Sequence, residues 1–295
     1  MKQFYSYLLS LVALLCSNVS VVSAVTIQDT KGWFESGYVT WVRESEATYE
    51  VYYRSQGGTY QKMDNELVRL YSDYGRADMV GLKAGNYQFK VVSSASGEAE
   101  SEVFTAVAHD RSGFAHIGMN DGIGAYKNDG TLKDNARILY LTAKTAKTVT
   151  LGVKKNNKET QYTGIQSIIG AYEGGGEDRP LCVRIVGTVK ADDIDSFSSN
   201  EGLQVKGKSG STDMNITIEG IGEDATVKGF GFLVRNAKSV EFRNLAIMRC
   251  MDDGISLDTD NSNIWVHNID FFYGKHGSGD HDKGDGACDP KADSK

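Results

Sequence analysis

Apolar and polar residues alternate along five short segments early in the chain: VTIQDT (25–30), YVTWVR (38–43), TYEVYYR (48–54), NYQFKVV (86–92) and SEVFTAV (101–107). β-branched and aromatic side chains recur at every second position, with Gly and Ser clustered between the runs. That pattern predicts half-buried strands joined by turns. Regular short strands of this kind predict a β-sandwich over residues 25–107. No cluster of His, Asp or Glu accompanies them, and no chemistry is assigned to this part of the chain.

After Ala108 the pattern changes. ILYLT (138–142), TVTLGV (148–153) and the strongly apolar CVRIVGTV (182–189) predict further strands. TGIQSIIGAYEGGG (163–176) instead places Ile165, Ile168, Ile169 and Tyr172 on one face at helical spacing, with glycines as the stop. The segments NITIEGIG (215–222), SVEFRNLA (239–246) and NIWVHNID (263–270) then align without gaps at a spacing of 24 residues. Ile216, Val240 and Ile264 form one column, Ile218, Phe242 and Val266 a second, and Ile221, Leu245 and Ile269 a third. Gly220, Asn244 and Asn268 share a turn position, where the asparagines are expected to hydrogen-bond along the stack. GFLV (231–234) and GISL (254–257) supply a second strand per repeat. A repeat of this length with several strands predicts a solenoid, here a parallel β-helix, whose coils bury little alone but share a core when stacked about 4.8 Å apart. The same alternation points Thr217, Glu219, Glu241, Arg243, Trp265 and His267 outward, with the loop 273–284 expected to cover Trp265.

Composition narrows the setting. The 295 residues include 33 Gly and only 2 Pro, which favours many tight turns over a Pro-rich linker. The net charge of −7 makes nucleic acid and anionic membrane poor partners, while still allowing an acidic polymer to bind through a bridging divalent cation. Residues 1–24 carry an early Lys, a short apolar run and Val22-Ser23-Ala24 ahead of Val25, the layout of a secretory signal peptide. The apolar run is too short to span a bilayer. Cys182, Cys250 and Cys288 then remain; their spacing matches no zinc pattern, and buried thiols are expected.

Candidate chemistry gathers at the end of the repeat. MDDGISLD (251–258) carries Asp252 and Asp253, and the next coil reaches Asp285 and Asp289. Residues four apart on an extended segment face the same side, so Asp285 and Asp289 are expected beside the strand carrying Asp253. Carboxylates from adjacent coils suit Ca²⁺, which takes roughly six to eight oxygens at about 2.3–2.6 Å. Spacing alone leaves a calcium site and a solvated acidic loop as alternatives. His276 and His281, with Asp280 and Asp282, are expected to be exposed rather than to bind a transition metal. GxSxG, HExxH and a phosphate-cradling glycine loop do not occur, which argues against serine hydrolase, zinc protease and nucleotide enzyme.

Residues 25–107 resemble the fibronectin type III-like modules attached to many secreted carbohydrate enzymes. From about Gly118 onward, AYKNDGTLKDNARILYLT, TGIQSIIGAYEGGGEDRPLCVRIVGTV, DDGISLDTDNSNIWVHNIDFF and KGDGACDPK resemble, in order, segments of the secreted pectate lyases with a right-handed parallel β-helix. The likeness covers about 175 residues, and its last two segments are the specific ones. It implies an all-β protein: a signal peptide (1–24), a small sandwich (25–107) and the N-terminal part of a right-handed parallel β-helix (108–295). It also implies calcium-dependent β-elimination of pectate or a related acidic polysaccharide, by a secreted monomer that neither spans a membrane nor binds nucleic acid. By motif position Asp253, Asp285 and Asp289 would hold Ca²⁺, and Lys291 would face the substrate. The family's usual Trp-Ile-Asp-His reads Trp265-Val266-His267-Asn268, which bears on subfamily placement. The family's catalytic arginine lies on coils downstream of the calcium aspartates, and Arg235 and Arg243 lie upstream. The expectation is therefore an N-terminal fragment whose base lies beyond Lys295. Two rival readings remain: a polygalacturonase-like hydrolase using clustered aspartates, and a non-catalytic β-helical protein that binds polysaccharide.

Overall fold

The computed structural model describes residues 24–156, 158–209, 212–272 and 286–291. All of the expected leader except Ala24 lies outside them, as do Asp280, Asp282, Asp285, His276 and His281.

The N-terminal strands are β1 (Ile27–Trp33), β2 (Ser36–Val42), β3 (Tyr49–Ser55), β4 (Gln61–Lys62), β5 (Val68–Leu70), β6 (Tyr74–Val80), β7 (Gly85–Ser93), β8 (Gly97–Glu100) and β9 (Phe104–Ala106). They form two antiparallel sheets, ordered β1-β2-β6-β5 and β4-β3-β7-β8, with β9 also on β7. Val39, Trp41 and Ala77 of one sheet meet Val51, Phe89, Val91 and Phe104 of the other in a single core, so the alternation read from the sequence does build a sandwich. β6 escaped that reading because its outer face carries Arg76 and Asp78. Both are buried, so the strand does not follow the rule of apolar residues inside and polar residues in water.

The remainder begins with β10 (Arg137–Leu141). An antiparallel hairpin follows, β11 (Thr150–Lys155) and β12 (Lys158–Thr163), and then the helix α1 (Ile165–Ala171). Ile165, Ile168, Ile169 and Tyr172 are all buried, as helical spacing requires. The chain then alternates between two parallel sheets through β13 (Leu181–Lys190), β14 (Gly202–Lys206), β15 (Asp213–Lys228), β16 (Gly231–Arg235), β17 (Lys238–Met248), β18 (Ile255–Leu257), β19 (Ser262–Phe271) and β20 (Cys288–Pro290). One sheet has the order β10-β13-β15-β17-β19, the other β14-β16-β18-β20. Their inner faces share one core with α1. Among the described residues, no helix is long and apolar enough to cross a membrane.

Two of the three expected columns are in register. Leu181, Ile216, Val240 and Ile264 pair in sequence across four strands; so do Leu139, Val183, Ile218, Phe242 and Val266 across five. A fully buried side chain of this size contributes about 1.5–3 kcal/mol by leaving water. The third column breaks. Leu245 pairs with Ile269, but residues 220–225 of β15 stand opposite only Asn244 and Leu245 of β17. Ile221 instead enters the core of the N-terminal sandwich, with Val186 and Tyr140 beside it. The excursion is what docks the two parts of the chain.

The corners follow the 24-residue period as well. Asn215, Ser239 and Asn263 all take left-handed backbone angles, as do Asn244 and Asn268, and Asn236 and Asp260. Asn and Asp tolerate this region because their short polar side chains bond locally. Asn244 donates to the Gly220 carbonyl on the neighbouring strand β15 at 2.7 Å, so the bond from strand to strand runs from side chain to backbone. A Cβ on Gly220 would lie 2.1 Å from the Asn244 carbonyl oxygen, which requires glycine there.

Candidate functional site

Carboxylates collect in two places on the parallel sheets. The first is the outward face of β15, β17 and β19. Glu219 accepts hydrogen bonds from the Tyr126 hydroxyl at 2.6 Å, Arg184 Nε at 2.9 Å, Cys182 Sγ at 3.2 Å and Arg243 Nε at 2.8 Å. Glu241 accepts from Thr217 at 2.8 Å, and its other oxygen lies 3.1 Å from His267 Nε2 and 3.6 Å from Arg243. Arg243 also reaches Glu35 of the sandwich at 3.4 Å and covers the Tyr126 ring at 3.8 Å. Glu35 is paired in turn with Arg111.

Burial, the largest influence on Glu219, would raise its pKa. The charges of Arg243 and Arg184 and the bonds from Tyr126 and Cys182 outweigh it and hold the group at about 2. Burial pushes the Cys182 thiol far up, so it is an inert, protonated donor. Each of Glu35, Glu219 and Glu241 is about 1 % exposed and is met by positive charge. A set of this kind, with each glutamate oxygen met by a donor or a positive charge, holds parts of the chain together.

The loop 273–284, expected to cover Trp265, lies outside the described residues; the cover that the described residues supply comes from earlier in the chain. Trp265 stacks on His267 at 3.7 Å, meets His116 and His109 edge-on, and carries the Arg111 guanidinium at 5.5 Å from its ring. The covering residues therefore come from the segment 109–126 that precedes the parallel sheets. Sequence reasoning missed Glu35, Arg111 and Tyr126. The signal available was the density of charge on central strands: Glu219, Glu241 and Arg243 on one face require a polar cover or a solvent face.

The second collection lies at the β18–β20 edge, where the sequence placed Asp253, Asp289 and Lys291. Backbone bonds from Gly254 and Ile255 to Gly286 and Ala287 align the two strands, and Ser256 falls opposite Asp289. Asp253 is 1 % exposed. Its Oδ1 accepts the Gly286 N–H at 2.6 Å. Its Oδ2 lies 3.2 Å from Lys291 Nζ, an ion pair without the alignment of a hydrogen bond. Lys291 Nζ is also 3.9 Å from Asp289 Oδ2. Burial lowers the Lys291 pKa, but the contact with Asp253 and its charge outweigh that, and the group titrates above its ordinary value.

Asp253, Asp289 and Lys291 are thus together, while Asp285 lies outside the described residues. Gly286 makes the approach possible: a Cβ there would sit 2.8 Å from Asp253 Oδ1 and 3.1 Å from Asp289 Cβ. Ser256 Oγ is fully buried beside this edge and has no hydrogen-bond partner among the described residues. Arg235 is paired with Asp258 and Arg243 is enclosed in the first cluster, so neither faces the second.

No family model and no curated protein matches the chain. Among solved structures, a β-1,2-glucanase from Parabacteroides distasonis aligns with 32 % of this chain and 13 % of its own, at 22 % identity and a TM-score of 0.24. A pectate lyase from Pectobacterium carotovorum aligns with 84 % of this chain and 76 % of its own, at 13 % identity and a TM-score of 0.17. Neither likeness is close enough to show a shared fold.

Proposed function

We propose that the chain belongs to a secreted, calcium-dependent polysaccharide lyase. In this reading residues 25–107 are a fibronectin type III-like module, and residues 108–295 wind as a right-handed parallel β-helix that cleaves pectate or a related uronan by β-elimination. The alternation of successive strands between two parallel sheets at a 24-residue period supports the β-helix. One observation carries the functional reading: two carboxylates from adjacent strands, Asp253 and Asp289, converge on a single cationic group.

The donor set fits a hard divalent cation. Asp253 and Asp289 supply oxygen, and Asp285 is a further ligand in this reading. Lys291 is 34 % exposed and can swing away from Asp253, which is nearly inaccessible. Ca²⁺ held by these aspartates would supply Lewis-acid stabilisation of the charge that develops when the proton next to the uronate carboxyl group is lost. The chain's own residues then have definite tasks. Asp253, fixed by the Gly286 N–H, orients one ligand oxygen. Asp289 presents a half-exposed second carboxylate. Lys291, released from Asp253, pairs with a uronate carboxylate. The proton-abstracting arginine of such lyases is assigned to no residue here.

The test is to incubate the purified protein with polygalacturonate while following ultraviolet absorbance of unsaturated ends. Absorbance that grows with calcium, stops with chelator and is lost in a folded Asp253→Ala variant supports the lyase. Reducing ends without absorbance would make the protein a hydrolase. No cleavage by a folded protein would sink the lyase reading for this substrate and leave polysaccharide binding, or another uronan, ahead.

A further inference from the structure

A polar groove of about 600 Å³ lies where the segment 118–134 crosses the N-terminal ends of β13, β15 and β17. It shares no residue with the Asp253–Asp289 edge. Three lysines and four aspartates line it. Lys127 is paired with Asp134 at 2.6 Å, and Lys238 with Asp213 at 3.1 Å. Lys133 differs. Its Nζ donates to Asn215 Oδ1 at 2.9 Å, and no carboxylate of a described residue stands within ion-pair distance. Burial lowers its pKa, and Asp121 and Asp213 offset that only through charge at longer range.

The acceptor is fixed. Asn215 Oδ1 also takes a hydrogen bond from Ser239 Oγ at 2.9 Å, and Ser239 Oγ accepts the Gly124 N–H at 3.0 Å. Asn215 is held in the left-handed region at a corner of the repeat. Lys133 is therefore tethered by one bond, which leaves two N–H groups for a ligand. A half-desolvated ammonium without an anion is an incomplete pair, and a carboxylate completes it with a charge-assisted bond.

The rest of the lining limits which carboxylate enters. Asp121, Asp134 and Asp178 oppose a multiply charged anion; Lys127 and Lys154 already pair with the last two, and Asp121 can accept hydrogen bonds from a ligand's hydroxyl groups. A neutral sugar would leave Lys133 unpaired, and a simple carboxylate would leave Asp121 unused.

We propose that this groove binds one residue of a sugar acid, its carboxylate on Lys133 and its hydroxyls on Asp121 and its neighbours. The site does not depend on calcium or on the lyase reading.

The experiment titrates the whole chain, in chelator, with D-galacturonate, D-galactose and acetate, by calorimetry or protein-observed NMR. Galacturonate is expected to saturate and to bind at least about tenfold tighter than the other two, the least that one charge-assisted bond implies. Lys133→Met should lose at least that factor, Lys133→Arg should keep most of the affinity, and Asp253→Ala should keep all of it. Equal affinity for the three ligands would overturn the proposal. So would affinity unchanged in Lys133→Met, or binding abolished by Asp253→Ala in a folded protein. If Lys133→Met does not fold, Asp121→Asn and the protection of Lys133 from reductive methylation by galacturonate decide the same question; no loss and no protection would sink it.

Discussion

Glu219 and Glu241 on one parallel sheet, and Asp253 and Asp289 at the edge of the other, are carboxylates that parallel strands of the same chain bring together. They are built in opposite ways. The glutamates are buried under the segment 109–126 and the N-terminal sandwich, with arginine, tyrosine, threonine and histidine contacting their oxygens. The aspartates share one partly exposed lysine, and Asp253, as buried as the glutamates, has only one backbone N–H besides. Acidic residues on the face of a parallel sheet are thus no signal by themselves. What separates structure from candidate chemistry is whether the charge is saturated and closed from water, or matched by a single group that can leave.

The sharpest way to break this contrast is Arg243→Ala. It removes the partner shared by Glu219, Glu241 and Glu35, and leaves buried charge without compensation. A loss of about 3–5 kcal/mol in denaturant unfolding is expected, and a loss under about 1 kcal/mol would mean that water reaches the cluster.

Acidification probes the same region. Burial, with the charge of His267 adding to it, lowers His109 from 6.5 to about 4, and His116 is lowered too. The folded state therefore favours neutral histidine, and the unfolded chain takes up protons first as pH falls below about 6.5. Stability should be full above that pH and fall towards pH 4, by at most about 1.4 kcal/mol per pH unit per histidine. Glu219 extends the loss, because its contribution is present above its ordinary range and disappears as pH falls towards 2. A melting temperature that stays flat from pH 6.5 to 4.5 would contradict the buried histidines.

The smallest effect belongs to the open edge. Lys291→Met leaves the buried Asp253 carboxylate with one backbone N–H, and should cost about 1–3 kcal/mol without calcium while strengthening divalent-cation binding, as read by calorimetry. A larger loss of stability would make Lys291 a structural counter-ion and would weaken the contrast.

Part of this was legible in the sequence. Val240 and Phe242 announce their direction because strand alternation and a 24-residue period agree at those positions. That Asp253 and Asp289 lie near each other was legible because the repeat sets the segment after Asp253 beside the one that carries Asp289. Ile221 was misplaced: it is apolar at the right spacing, and only the extra residues of β15 turn it into the sandwich core. The buried charge cluster was hidden for a different reason. Outward Glu and Arg look the same in a sequence whether they face water or a cover, and the cover comes from a segment with no periodicity. Glu35 is recognisable only through partners more than seventy residues away, Arg111 and Arg243.

The most direct single measurement is a calcium titration of the folded chain by calorimetry, beside Asp253→Ala, Asp289→Ala and Glu241→Gln proteins of matching circular dichroism. The expected result is one saturable site that is lost with either aspartate and kept in Glu241→Gln. Calcium binding unchanged by both aspartate substitutions, or no binding at all, would contradict the open edge as a metal site and leave its acidic residues structural like the rest.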